Sequence, residues 1–319
     1  VDRTADTAYR LASVAQRLVD ADHFDAQGNR AAAASLLVAA RDALPADHAR
    51  ERHYLCALLA AVWGRYGDGR DETRALAFLA DARAGTAADA RLAGDVYLAE
   101  TAVCLGREDA AAALAAGRAA LDSLGSVQAW VRYADVCREL GAGYFDHGLR
   151  AEAAEVSRRG AEIAEELDEH IRALRSWLDL GQYLPPEQPA AMDEAFLRAY
   201  SAAYRVGRLA WRSVVIATAV DALFSAGHMA LAGRWGDRLR DGEGRWPDAS
   251  SAGMHADDWA FLTGRYALAL FASRRADTRL AGALRTAIAA LQPLMEGDTE
   301  ASDLHDRARA ALLQMEKGK

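Results

Sequence analysis

The sequence predicts an all-α fold, and three observations predict it. Apolar residues recur almost everywhere at the i, i+3, i+4, i+7 spacing of an amphipathic helix. Glycine-centred turn signals and the six prolines fall between those stretches. No run alternates β-branched and aromatic residues; Val214-Val215-Ile216 comes nearest and lies inside a helical frame.

The first helix spans 4–22, where Tyr9, Leu11, Val14, Ala15 and Leu18 form one buried stripe before the turn at Gln27-Gly28-Asn29. Helices over 28–43 and 47–66 are separated by Pro45, and Gly67-Asp68-Gly69 ends the second of them. Helices over 71–84 and 88–105 lead to the break at Leu105-Gly106-Arg107, then 107–124 and 127–146 to His147-Gly148. Helices over 148–167 and 168–183 precede Pro185, Pro186 and Pro189, which mark a softer junction near 184–190. The pair 188–205 and 207–226 turns at Gly207, and 228–240 follows Gly227-His228. Residues 241–255 hold Gly242, Gly244, Pro247 and Gly253 with no helical period, so an irregular loop is expected, with Trp246 its one large anchor. Helices over 256–274 and 277–293 come next. The last, 298–316, has Leu304, Ala308, Leu312 and Met315 on one face and Asp303, Asp306, Arg307 and Arg309 largely on the other, as a terminal cap requires.

Composition narrows the function. The 319 residues are 52% hydrophobic and 26% charged with a mean hydropathy of −0.13, a chain with ample apolar surface to bury. The net charge of −8 and pI near 5.5 argue against a general nucleic-acid binder. Of 38 basic residues only Lys317 and Lys319 are lysines, and Asn29 is the sole asparagine, which is the mark of a GC-rich coding sequence. Cys56, Cys104 and Cys137 are odd in number and form no C-x-x-C pair, so neither a metal knuckle nor a disulfide framework is expected. The most apolar runs, 31–40 and 54–64, fall short of the roughly 18 residues a membrane span needs. Val1-Asp2-Arg3-Thr4-Ala5-Asp6 lacks the pattern of a signal peptide, and a cytoplasmic location is the expectation.

The helices pair in a recurring unit. Cys137, Leu140-Gly141, Tyr144, Gly148 and Ala153 stand at the offsets of the tetratricopeptide repeat, and this stretch resembles that family. The step from glycine to a small residue recurs as Gly28 to Ala33, Gly106 to Ala111 and Gly227 to Ala232. From Gly106 to Gly148 is 42 residues, longer than the family's 34 or so, and Cys137 stands where the motif has tryptophan. The resemblance implies a single array over 1–319. It would be a right-handed solenoid of about seven antiparallel helical hairpins plus a C-terminal capping helix, with first helices lining a concave groove. Similar degenerate arrays occur in bacterial regulatory proteins and scaffolds.

Catalytic signatures are missing from the sequence. There is no H-E-x-x-H, G-x-S-x-G or phosphate-binding lysine loop, and His48 and His53 do not share a helix face. His255-Ala256-Asp257-Asp258 reads as a helix start, with Asp in its first turn. Nothing recommends an enzyme, and no cofactor or metal is expected. Charge is uneven: residues 71–187 carry 12 basic and 21 acidic groups, densest along Glu152, Glu155, Glu162, Glu165, Glu166, Asp168 and Glu169, a face expected to be solvated.

Aromatics and arginines carry the functional signal. Trp63, Trp130, Trp177, Trp211 and Trp259 fall on first helices, joined by Tyr133, Tyr144 and Tyr183. Arg198, Tyr200, Tyr204, Arg205, Arg208, Trp211 and Arg212 crowd the turn at Gly207. Guanidinium forks beside aromatic faces suit a carboxylate, a phosphate or an acidic peptide, while ion pairs with Asp193 and Glu194 would explain the same arginines. The expected binding residues are Trp130, Tyr133, Trp177, Tyr204, Arg208, Trp211 and Arg212. The expected role is a non-enzymatic module holding a protein or peptide in the groove, without direct nucleic-acid or membrane contact. A ligand- or peptide-sensing region of a bacterial transcription regulator and an unusual all-α enzyme with its site in the groove are the alternatives.

Overall fold

The computed structural model describes residues 29–65, 69–239, 249–273 and 279–317, and among them there are helices and no strand. The helix expected over 4–22 lies outside the described residues, as do Trp246 and most of the loop that contains it. The described residues form fifteen α-helical segments: α1 Asn29–Ala43, α2 Ala49–Gly64, α3 Glu72–Arg83, α4 Ala90–Gly106, α5 Ala110–Ser126, α6 Trp130–Asp146, α7 Arg150–Glu166 and α8 His170–Tyr183. They continue as α9 Pro189–Val206, α10 Leu209–Ser225, α11 Met229–Asp237, the single turn α12 Ala249–Ala252, α13 Ala256–Ser273, α14 Leu280–Leu291 and α15 Thr299–Lys317.

Local chemistry sets the helix ends. Asp71, Asp89 and Asp109 cap α3, α4 and α5 by accepting from the backbone N–H of Arg74, Leu92 and Ala112. Pro189 opens α9, where its missing N–H costs nothing. Gly207 closes it in the left-handed region, φ +76°, donating its N–H to Ala203 and Tyr204.

The turns are more regular than the glycines suggest. A residue with positive φ recurs at Glu108, Gln128, Gly148, Asp168, Gly207 and Gly227, mostly at intervals of 20. First helices accordingly begin at 90, 130, 170 and 209, and second helices at 110, 150, 189 and 229. Five residues after each left-handed position, the chain enters the core at Ala113, Tyr133, Ala153, Ala173 and Ala232, all buried. After Gly207 the matching residue is half-buried Arg212, and after left-handed Gly69 and Gly253, which fall outside the 20-residue spacing, it is exposed Arg74 and Asp258.

The fold groups into two compact units, Val1–Ile163 and Ala164–Lys319, with the boundary inside α7. In the first unit α2, α4 and α6 pack in succession, and α4 also packs on α3 and α5. Its core starts with Ala33, Leu37, Leu55, Leu59 and Val62 and continues through Ala60, Leu79, Leu92 and Val96. In the second unit α8, α10 and α13 pack in succession, α9 and α11 join as their hairpin partners, and α14 and α15 close on α13. The Pro-rich link 184–188 sits inside this unit, its turn closed by Gln188 N–H to Pro185 O at 3.0 Å. In α15, Leu304 and Ala308 are buried as expected, Leu312 and Met315 are half-buried, and Ala301, His305 and Ala311 complete the inward stripe.

Cys56, Cys104 and Cys137 are unpaired and buried. Burial pushes all three thiols up, Cys137 to about 12.

Candidate functional site

The seven expected binding residues divide by burial and by unit. In the first unit Tyr133 is 1% exposed, with Arg159 over its ring at 5.0 Å, whereas Trp130 is 39% exposed and tilted against Tyr133 at 5.7 Å. Tyr133 fills the core register described above and offers a partner no surface. In the second unit Trp177 is 4% exposed. Its indole N–H donates to Glu165 Oε1 at 2.9 Å, and Arg198 stacks on its ring at 4.7 Å while donating to Glu165 Oε2 at 3.4 Å. Trp177 is therefore a packing residue. Glu165, expected on a solvated face, is the acceptor that satisfies it.

The second unit does bring together Tyr204, Arg208, Trp211 and Arg212. Trp211 and Arg212 lie in the first turn of α10, with Arg208 as the residue that starts the helix, three and four positions before them. Tyr204, 64% exposed, reaches over from the last turn of α9, and the Arg212 guanidinium lies 4.6 Å from its ring centroid. Arg175 of α8 stacks on half-buried Trp211 at 5.5 Å. Sequence reasoning missed Arg175, whose proximity follows from the packing of α8 on α10 and not from any local motif.

Ion pairing with Asp193 and Glu194 does not account for these arginines. Asp193 accepts the Trp235 indole N–H at 2.7 Å and lies 3.9 Å from Arg234. Glu194 and Glu165 both engage Arg198. Among the described residues no carboxylate pairs with Arg175, Arg205, Arg208 or Arg212, and the Nε of Arg212 is buried with no hydrogen-bond partner. The N-terminus of α10 adds to the positive field: it has no side-chain cap and no acidic residue in its first turn. Exposed Leu209 and Val214 border the cluster with apolar surface. The α12 turn packs alongside, where Ser213 Oγ donates to Ala252 O at 2.6 Å.

Elsewhere the polar contacts are internal. Arg132 donates to Asp95 Oδ1 at 2.8 Å and Glu139 Oε1 at 2.7 Å, tying α6 to α4. Among the described residues no three His, Cys, Asp or Glu side chains gather as a metal site would require, and no helix is long and apolar enough to cross a membrane.

No protein-family model matches the sequence, and no curated protein matches it. Among solved structures the chain is similar to a Signal Transduction ATPase with Numerous Domains (STAND) protein with a tetratricopeptide repeat sensor, from Pyrococcus horikoshii. That match has a TM-score of 0.60 and 14% identity and covers 96% of this chain but 44% of the other, so the chain spans less than half of that protein. The Rap conjugation gene regulator of the plasmid pLS20, solved in complex with the Phr* peptide, aligns over 99% of this chain and 96% of its own at 11% identity. The TM-score of that alignment is 0.40. The first likeness, with the register of the turns, establishes the architecture: this chain has the all-α helical-hairpin repeat fold of tetratricopeptide-like proteins.

Proposed function

We propose that the chain is a non-enzymatic helical-repeat module that binds a peptide or a partner protein on the first helices of its second unit. The observation that carries this reading is the group of guanidiniums on α8 and α10, stacked on Trp211 and Tyr204 and left without carboxylate partners among the described residues. Arginine and large aromatics are the side chains that anchor partners, and here they are accessible and already ordered by stacking. The buried thiols, with their raised pKa, are poor nucleophiles, and the ordered carboxylates serve indole and guanidinium donors.

Selection of a displayed random peptide library on the intact, folded chain tests the reading. A shared motif should emerge, and its binding should weaken by about 2 kcal/mol or more when Trp211 is truncated. Failure to enrich any peptide on the folded protein would reject it.

A second reading makes this chain the sensing part of a larger bacterial regulator acting in the cytoplasm. The alignment of nearly all of this chain to 44% of a multidomain STAND protein favours it. Binding would then change the behaviour of attached domains, testable by joining the chain to them and measuring their activity with and without the selected peptide.

A further inference from the structure

We propose that the surface of Arg175, Tyr204, Arg208, Trp211 and Arg212 takes an acidic segment of a peptide, with guanidiniums receiving its carboxylates and the rings its intervening apolar side chains. The inference rests on the peptide-binding reading above and specifies the chemistry of the occupant.

Three independent observations converge. The first is charge: Arg175, Arg208 and Arg212 lie on one surface of the second unit with Arg205 beside them, none pairs with a carboxylate among the described residues, and the nearby acids Asp193, Glu165 and Glu194 are committed to Trp235, Arg234, Trp177 and Arg198. An uncapped helix N-terminus beside Arg208 and Arg212 raises the local positive potential further.

The second is register. Arg212 stands five residues after the left-handed turn at Gly207, where the turns at Glu108, Gln128, Gly148, Asp168 and Gly227 place buried Ala113, Tyr133, Ala153, Ala173 and Ala232; after Gly69 and Gly253, outside the 20-residue spacing, the matching residues are exposed Arg74 and Asp258. Half-burying a guanidinium costs desolvation, and among the described residues the buried Nε of Arg212 has no hydrogen-bond partner to offset that cost. Four of those five positions hold alanine and the fifth a buried tyrosine, so the packing does not account for a half-buried arginine here, and a ligand does.

The third is preorganisation. Arg212 on Tyr204 and Arg175 on Trp211 hold their planar forks in place, which suits bidentate carboxylate recognition. A nucleic acid fits less well, because a chain of net charge −8 presents these few guanidiniums and not an extended basic stripe.

The test uses the intact chain and fluorescence anisotropy with labelled twelve-residue peptides. One alternates Glu with Phe and Leu, a second replaces every Glu by Gln, and a labelled single-stranded oligonucleotide of the same length is the third probe. The acidic peptide should bind at least about tenfold more tightly than the amide peptide. Arg208→Ala with Arg212→Ala should remove that preference, while Arg307→Ala with Arg309→Ala on α15 should keep it. Arg212→Ala alone should leave the melting temperature unchanged or raise it, since alanine is what four of the five matching positions hold; a clear fall would make Arg212 a structural residue and overturn the proposal. Equal binding of the two peptides, or binding of the oligonucleotide alone, would also overturn it. If the displayed library yields neutral or basic motifs, the acidic occupant is rejected while the peptide-binding reading stands; if it yields none, both fall.

Discussion

The Trp235 indole N–H donates to Asp193 Oδ1 at 2.7 Å across 42 residues of sequence, tying α11 to α9. Phe196 and Tyr200 meet the same indole edge-on at 6.1 and 6.0 Å, and Arg238 covers it at 4.6 Å. Asp193→Ala leaves a buried donor unpaired and should cost about 1–3 kcal/mol, whereas Asp193→Asn keeps an acceptor and should cost less. Urea unfolding followed by tryptophan fluorescence separates the two; equal costs would make the carboxylate incidental.

In the first unit Arg132 bridges Asp95 and Glu139 at a mostly buried position. Removing the guanidinium leaves Asp95 and Glu139 without their shared cation in a partly dry site. Arg132→Ala should lose about 3 kcal/mol, the low end for breaking a buried pair. A loss below about 1 kcal/mol, the range of surface pairs, would show that water already solvates the group.

Two glycines should fail for different reasons. A Cβ on Gly181 would lie within van der Waals overlap of the Phe196 ring, so Gly181→Ala should cost about 1–3 kcal/mol through overpacking. Gly148 has open space around it but φ +76°, so Gly148→Ala should cost about 1 kcal/mol through backbone strain alone. Phe196→Leu should rescue the first variant in part and leave the second untouched, as thermal melts of the double variants would report.

Asp89 caps α4 and pairs with Arg50, and these contacts hold its carboxyl below the ordinary carboxylate value, the hydrogen bond from Leu92 N–H contributing most. Because the folded value is depressed, the stabilisation is full above the unfolded pKa of about 3.9 and is lost as pH falls through the folded one. Asp89→Asn keeps a capping oxygen and should be destabilised at neutral pH, with a weaker acid dependence below about pH 4 than the parent. Identical acid melts of the two proteins would contradict this.

Thiol labelling offers a check on the core. Native protein should react slowly with a thiol reagent at mildly alkaline pH, with Cys104 ahead of fully buried Cys137, and denaturant should release all three. Rapid labelling of Cys137 in the native state would mean that the first unit opens readily.

Helix boundaries were legible to within three residues for α1–α11 and α13–α15, because the 3.6-residue period and the Gly and Pro breaks act locally. The register of the turns was not. Gly106 looks like the break, yet it ends α4 inside the helix, and the left-handed residue is Glu108. Gln128 and Asp168 take the same backbone shape without a glycine to announce it. The Leu140-Gly141 pair recurs as Leu180-Gly181 one repeat later, a signal visible only once the spacing is known. Of the site, the cluster around Gly207 was readable because it is contiguous. The burial of Tyr133 and Trp177 was not, since a large ring on a first helix fits a core or a groove equally by spacing. Arg175 and the commitments of Asp193, Glu194 and Glu165 depend on which helices pack together.

The 20-residue recurrence of left-handed turns has a bearing on how this chain can change length. One residue inserted within a helix rotates everything beyond it by about 100°, which would carry the next buried alanine out of line with its neighbour. Single insertions and deletions should be lethal to helices and tolerable only at the turns, while a block matching a whole hairpin leaves every phase intact. The gene can therefore gain or lose hairpins as complete cassettes, and one cassette can differ from its siblings at a single register position, as the one carrying Arg212 does.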